Sequence, residues 1–313
     1  MKILDQQKFS TQTAQLISAS YASSTWKRHD SALNSLKLFW TEKNITPAWP
    51  VSREILAEYI TWAYLSRKLK SATISNYLDS LRTVHMLRGL QCSQFEDYII
   101  KSVLRGGENL ELMNSEVKAT RKVMSLQLLK LLGDGVSKCS WEEESKQVVW
   151  AACTTAFFGS FRFGELLSKR ENTYSPADSL LWSDVKFLDG DHILIHIRNP
   201  KSKMKEGEFV DIFKFDGHGV CPVKALKKLA DMRKNKDMDS PVFSFSTGKC
   251  LTQRNLNQIL EDLLFPYIGE ESKQITGHSF RAAIPAVLAK FPEVANSAEI
   301  MVWGRWKSEA YLC

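Results

Sequence analysis

The spacing of hydrophobic residues predicts that the first third of the chain is helical. Apolar side chains recur every three or four positions in stretches that follow Ser23-Ser24-Thr25, Ser52 and Ser71, and residues of these types often cap helices. Pro47 and Pro50 separate the first two stretches. We therefore expect consecutive amphipathic helices whose apolar faces form one core.

Two further breaks organise this region. Gly89 follows the third helical stretch and is expected to end it. A shorter helix is predicted around residues 95–104, ending at Gly106-Gly107. Residues 108–122 are polar and lack a clear period, which is typical of a linker. The sequence thus predicts a helical domain over 1–107, a linker over 108–122 and a second domain over 123–313.

The second domain mixes two kinds of pattern. Residues 148–167 are apolar and predict a buried helix interrupted near Gly159. Residues 192–197 and 209–213 are rich in β-branched and aromatic side chains and predict two strands joined by a basic hairpin tip at 200–207. Segments with helical spacing of apolar residues precede and follow these strands. The fold class expected is therefore mainly α with a small antiparallel β-sheet.

Composition narrows the class of partner. The chain has 313 residues, 44% of them hydrophobic, and a formal charge of +7. No apolar run approaches the roughly 20 residues that span a bilayer, and the start has no secretory signal pattern, so we expect an intracellular protein without a membrane partner. The six cysteines form no CxxC pair, which gives no support to a metal or dithiol site. The positive charge favours a polyanionic partner, although a basic protein without such a partner would show it too.

The first candidate chemical motif is an arginine within an apolar stretch. Arg162 and Glu165 lie three positions apart, close enough on a helix to face each other. A buried guanidinium must be paired or must bind an anion, because burying it alone is very costly. A purely structural ion pair and an anion site both fit this motif.

The hairpin tip supplies the second candidate. Lys201 and Lys203 lie on the predicted turn between the strands. A lysine there could reach into a groove and donate a proton, whereas the plainer interpretation is a solvated basic loop.

The third candidate is the motif Gly277-His278-Ser279-Phe280-Arg281 at the start of an apolar helix. One helical turn would bring His278 and Arg281 to the same side. They would then present an imidazole and a guanidinium fork suited to a phosphate. A fourth motif, Gly304-Arg305-Trp306, follows an apolar segment, and it fits either a site or a core tryptophan cluster.

The order of these motifs resembles the tyrosine recombinase family, which includes the phage integrases. Arg162 with Glu165 resembles the family's first arginine box, and Gly277-His278-Ser279-Phe280-Arg281 resembles its second. Gly304-Arg305-Trp306 is similar to the variant found in eukaryotic mobile-element recombinases of the DIRS and Crypton type. The N-terminal helices resemble the family's core-binding domain, with Thr25–His29 echoing its start. The resemblance implies a helical core-binding domain and a mixed catalytic domain.

The resemblance also implies a mechanism, which is metal-free DNA strand transfer through a 3′-phosphotyrosine, without a cofactor. Arg162 and Arg281 would stabilise the extra charge on the phosphate oxygens. His278 would act as general acid/base or hydrogen-bond partner to the phosphate. Lys201 would protonate the departing 5′ oxygen, with Lys203 as the second choice.

The end of the sequence departs from the family's pattern. Arg305 stands where the family has a second His or Trp, and Trp306 would supply packing. The family's nucleophilic tyrosine would fall one position past Cys313, and Tyr311 lies only six residues after Arg305. We therefore expect no nucleophile in this sequence, which is then a truncated enzyme. The alternative is a catalytically inactive DNA-binding protein derived from a mobile-element recombinase, and a type IB topoisomerase shares the chemistry but not the two-domain layout.

Partners follow from the same resemblance. We expect a C-shaped clamp on double-stranded DNA, self-association in a synaptic oligomer on DNA, no small-molecule ligand, and a nuclear location in a eukaryotic host. Candidate contacts to the DNA backbone are basic residues of the first domain: Lys27, Arg28, Lys68, Lys70 and Arg82. Taken singly, the plainer interpretation of each is a solvated surface charge.

Overall fold

The computed structural model describes residues 9–114, 122–200, 207–215, 217, 219–234, 237–291 and 293–306. The chain divides into two compact units, Met1–Lys118 and Ala119–Cys313, each with its own hydrophobic core. Helices dominate both, and the second unit also contains a small antiparallel sheet, which confirms the expected fold class. The predicted boundaries at 107 and 123 stay predictions. No helix of the described part is both long and apolar enough to span a bilayer.

The first unit is built from helices whose apolar faces meet. Its elements are α1 (Thr11–Ala19), α2 (Ser23–Glu42), α3 (Arg53–Leu65), α4 (Ser71–Leu87), a 3-10 turn (Ser93–Glu96) and α5 (Tyr98–Asn114). The Ser52 hydroxyl accepts a hydrogen bond from the Ile55 amide, which confirms the predicted cap of α3. Gly89 lies just past α4 with a φ of 65°, a left-handed conformation that glycine adopts without strain.

The predicted end of the last helix in this unit is wrong, because α5 continues through Gly106 and Gly107 to Asn114. A Cβ on Gly107 would lie 2.8 Å from the Ser71 hydroxyl oxygen. Oε1 of Glu111, one turn further on, accepts hydrogen bonds from the amide and hydroxyl of Ser71. The glycine therefore permits close packing of α5 on α4, and that packing outweighs its low helix propensity.

The second unit surrounds its sheet with helices. The helices are α6 (Leu126–Lys138), α7 (Glu143–Phe158), α8 (Phe163–Leu166), α9 (Pro222–Met232), α10 (Gln253–Ile268), α11 (Gly277–Arg281), α12 (Ala283–Leu288) and α13 (Ser297–Trp303), with 3-10 turns at Trp182–Asp184 and Gly269–Gln274. The interruption predicted near Gly159 is confirmed, since α7 ends there. The helix predicted to follow the third motif is divided into α11 and α12 at Ala282.

The sheet has the order β1-β2-β3 and is antiparallel throughout, with β1 at Val185–Leu188, β2 at His192–Ile197 and β3 at Glu208–Phe213. On β2, Ile193, Ile195 and Ile197 are buried while the alternate residues are half-exposed, so one face of the strand packs on the core. Both predicted strands are confirmed. The sequence analysis missed β1, whose four residues are too few to show a period.

Candidate active site

The turn between α7 and α8 places Arg162 and Glu165 side by side. Ser160 adopts a left-handed φ of 47°, and Arg162 then precedes the first residue of α8. The Arg162 backbone amide donates to Oε2 of Glu165 at 3.0 Å, and its Nη1 donates to Oε1 at 2.8 Å. The Glu165 side chain is 6% exposed and that of Arg162 is 39% exposed. The buried Glu165 therefore holds Arg162 from the protein interior, and the Arg162 guanidinium remains open to solvent.

Close contact between α8 and α11 brings the second motif to the first. A Cβ on Gly277 would lie 2.6 Å from the Phe163 ring, so only glycine permits this approach. Phe163 and Phe280 are buried with ring centroids 5.1 Å apart. The turn of α11 then carries Arg281 into the interior, whereas His278 is exposed.

Arg281 is 1% exposed and is held by main-chain carbonyls. Its Nη1 donates to the carbonyl of Ser160 at 2.5 Å, and its Nη2 donates to the carbonyl of Arg305. The buried Nε has no hydrogen-bond partner among the described residues. Burial, together with the charges of Arg162 and Arg305, lowers the pKa of Arg281 to about 10, against the opposing effect of Glu165 and Glu208. The residue thus combines a buried positive charge with one unused donor.

The fourth motif covers this arginine. Trp306 lies over the Arg281 guanidinium, with 5.2 Å between the guanidinium carbon and the ring centroid, and meets the His278 ring edge-on at 6.0 Å. Trp306 therefore packs on the cluster. The side chain of Arg305 turns toward Glu165, and its Nη2 lies 3.1 Å from Oε2 of that residue.

Glu165 stays ionised despite its burial. Burial alone would raise its pKa, but the nearby charge of Arg305 and the hydrogen bonds from Arg162 outweigh that effect, so the pKa lies below its ordinary value. A second carboxylate that the sequence analysis missed joins the cluster, because Oε1 of Glu208 lies 3.0 Å from Nε of Arg305. A lone acid at the start of a strand carries no signal in one sequence, and only the fold brings Glu208 to Arg305.

The structure thus brings together Arg162, Glu165, His278, Arg281 and, through the fourth motif, Arg305 and Trp306. It forms one cluster of three guanidinium groups, two carboxylates and an imidazole. Lys201 and Lys203 lie outside the described residues. Their assignment as proton donors stays a prediction, as do the catalytic roles of the residues in the cluster. In the described part of the chain, no group of three or more His, Cys, Asp or Glu side chains could hold a metal ion.

The basic residues predicted to contact DNA belong to the other unit. Lys27, Arg28, Lys68 and Lys70 are exposed. Arg82 differs from them, because its Nη1 lies 2.5 Å from Oε1 of Glu96. Among the described residues of the unit, four of these five side chains form no ion pair, and the fifth is engaged.

Comparison with known proteins identifies the fold. No family model matches the sequence, and no curated protein is significantly similar to it. Among solved structures, the XerH site-specific recombinase in a post-cleavage complex with a palindromic difH substrate has a TM-score of 0.58 at 15% identity, covering 90% of this chain and 73% of that chain. A lambda integrase dimer bound to a COC′ core site has a TM-score of 0.56 at 12% identity, covering 95% and 89%. The chain has the fold of the tyrosine recombinases.

The recombinase fold confirms the resemblance seen in the motifs at the level of architecture. The mobile-element subtype, and the role of each residue in the cluster, remain predictions. Identities of 12–15% establish shared architecture, so function has to be argued from the site itself.

Proposed function

We propose that this protein is a DNA breaking and rejoining enzyme of the tyrosine recombinase type. The reaction is a metal-free transesterification in which a tyrosine hydroxyl attacks a DNA phosphodiester. A 3′-phosphotyrosine forms, the 5′ oxygen leaves, and rejoining reverses the step. The phosphate ester retains the energy of the broken bond, so the reaction needs no nucleotide cofactor.

The convergence of Arg162 and Arg281 is the observation that carries the proposal. The carbonyl held by Arg281 belongs to Ser160, 121 positions earlier in the chain and two residues before Arg162. Guanidinium groups brought together in this way would repel each other unless an anion or carboxylates offset their charge. A phosphodiester supplies one negative charge and takes on a second in the transition state, which is the charge such a cluster stabilises.

Exposure divides the roles within the cluster. Arg162 is the accessible guanidinium and would make forked bonds to a phosphate oxygen. His278, also exposed, would exchange a proton or a hydrogen bond with the phosphate. Arg281 supplies positive charge from the interior, and its Nε would donate to an oxygen that reaches it. Lys201, or alternatively Lys203, would protonate the leaving 5′ oxygen.

Duplex DNA is the partner we propose, supported by the net charge of +7 and by the exposed lysines of the first unit. The XerH structure is a complex with its difH substrate, and the lambda integrase structure is a dimer bound to a core site. We propose by analogy that this protein also assembles on DNA. A mobile-element origin and a nuclear location belong to the same proposal.

Binding of one particular DNA phosphate by the arginine cluster can be tested directly. A preferred duplex would be selected from a random pool, and each backbone phosphate of it replaced in turn by an uncharged methylphosphonate. We expect one position where the replacement weakens wild-type binding about tenfold, the effect of losing a charged hydrogen bond. The same replacement should have little further effect on Arg162→Ala.

Equal losses in wild type and Arg162→Ala at every position would refute the proposed phosphate site. The surface variant Glu293→Gln serves as the control. It changes the net charge on an exposed residue and should reproduce the wild-type profile.

A further inference from the structure

Arg305 is held between two carboxylates that come from different elements. Its Nη2 lies 3.1 Å from Oε2 of Glu165 in α8, and its Nε lies 3.0 Å from Oε1 of Glu208, the first residue of β3. The Arg305 side chain is 9% exposed and that of Glu208 is 22% exposed. The Phe161 ring lies on one side of the guanidinium, with its centroid 5.0 Å from the central carbon. Two nitrogens of the guanidinium therefore face carboxylates, although the buried Nε and Nη1 have no hydrogen-bond partner among the described residues, so the contact with Glu208 is an ion pair.

The backbone of the same residue holds Arg281. Arg305 has a left-handed φ of 58°, which a residue other than glycine adopts only when its surroundings enforce it. In this conformation its carbonyl accepts from Nη2 of Arg281. One residue therefore supplies both the guanidinium that pairs with Glu208 and the carbonyl that accepts from Arg281.

Glu208 also completes the charge balance of the cluster. The cluster has three positively charged guanidinium groups and two negatively charged carboxylates, so these groups together carry a net charge of +1. Without Glu208 the balance would be +2, and Nε of a nearly buried arginine would lose its anionic neighbour. A buried charge that loses its partner is strongly destabilising, so the guanidinium would move toward another acceptor or toward water.

We propose that Glu208 is a positioning residue of the anion site. Its ion pair holds Arg305 in place, and through the Arg305 carbonyl it sets the place of the Arg281 guanidinium. Arg305 then acts on the phosphate through Arg281 and does not contact it. This inference rests on the proposed function, because the site that Glu208 serves is the proposed phosphate site.

The sign of one binding change separates positioning from simple electrostatics. Glu208→Gln removes a negative charge beside an anion site. If Glu208 acted only by its charge, inorganic phosphate would bind more tightly to the variant. If Glu208 positions Arg281, phosphate should bind about tenfold more weakly, the effect of losing a hydrogen bond to a charged group. Affinity would be measured from the phosphate-dependent rise in Tm of the full chain at constant ionic strength, balanced with chloride.

A spectroscopic signature and a second variant protect the test against trivial misfolding. The Arg281 Nε–H resonance, assigned by its loss in Arg281→Lys, should shift in Glu208→Gln before any phosphate is added. Arg305→Lys keeps the charge but cannot span both carboxylates, so it should weaken phosphate binding similarly. The double variant with Glu208→Gln and Arg305→Lys should bind phosphate no more weakly than either single variant, because both changes break the same ion pair. Glu293→Gln should leave the affinity and the resonance unchanged.

Unchanged or tighter phosphate binding by a folded Glu208→Gln would overturn the inference, as would full additivity in the double variant. If Glu208→Gln does not fold, Arg305→Lys decides alone by the same criteria. If wild type binds phosphate and Arg281→Lys does not, the site exists whatever Glu208 does. A wild type without any phosphate-specific rise in Tm would contradict the site and the role of Glu208 together.

Discussion

Burial decides how individual charged residues of the cluster behave. Arg162 faces solvent, whereas Arg281 and Glu165 are almost fully enclosed and keep their charges only because they have partners. The lowered pKa of Glu165 shows that Arg305 and Arg162 more than offset its burial. Folding is therefore linked to ionisation of this carboxylate, and the link has a definite sign.

Glu165 should make stability depend on acid pH. A carboxylate whose pKa is lower in the folded state contributes stability that is complete above its unfolded value near 4.5 and is lost as pH falls through the folded value. Glu165→Gln should cost about 3 kcal/mol near neutral pH, because the nearly buried Arg305 and the more exposed Arg162 both lose a charged partner. The difference from wild type should shrink as pH falls below about 4.5.

Denaturant unfolding of both proteins between neutral pH and pH 3 measures this difference. Glu293→Gln, which changes an exposed carboxylate, should follow the wild-type curve. A gap between wild type and Glu165→Gln that stays constant with pH would show that ionised Glu165 does not stabilise the fold.

The sequence could predict these residues but only some of their contacts. The spacing of Arg162 and Glu165 indicated their pairing, since three positions within a helical turn bring side chains together. The carbonyl partners of Arg281 and the contribution of Glu208 could not be inferred, because they depend on contacts between distant segments. A single sequence contains no record of such contacts.

At the scale of elements, glycines determine how closely neighbouring segments approach each other. Gly277 allows α11 to pack on Phe163, and Gly107 allows α5 to pass Ser71. A helix end was predicted at the second glycine, because glycine has low helix propensity and often follows helices. Close helix packing is a tertiary effect that periodicity does not show, which is also why the course of α5 was mispredicted.

Gly277→Ala should separate the two arginine motifs. Alanine favours a helix over glycine, but here its Cβ would meet the buried ring of Phe163, so we expect a net loss of about 2 kcal/mol in the free energy of unfolding. Gly164→Ala is the matched control, because a Cβ there meets nothing within 4 Å. Equal stability of the two variants in thermal unfolding would show that the packing of α11 on α8 is not tight.

At the scale of the whole molecule, the positive charge is the property most relevant to a DNA partner. Each phosphate neutralised by a lysine or arginine releases counterions, so binding weakens with salt in proportion to the number of contacts. Lys27 and Arg28 are exposed on α2, whereas Arg82 is paired with Glu96. Lys27, Arg28 and Arg82 should therefore contribute unequally to the salt dependence of DNA binding.

Lys27→Gln and Arg28→Gln should each reduce the slope of log affinity against log salt by about one. Arg82→Gln should leave the slope nearly unchanged, because its charge is already offset by Glu96. Fluorescence anisotropy with a labelled duplex over a range of salt concentrations gives the slopes. If all three variants gave the same slope, the exposed cations of α2 would not be distinguished as phosphate contacts.

The arginine cluster is proposed to support phosphodiester transesterification, and trapping the covalent intermediate tests this claim most directly. A nicked suicide duplex carrying the selected site would be incubated, in chelator, with the protein expressed from its natural reading frame. We predict a covalent protein–DNA adduct through tyrosine, abolished by Arg281→Ala and reduced by His278→Ala. Site-specific binding without any adduct would contradict the claim and identify a protein that binds DNA without cutting it.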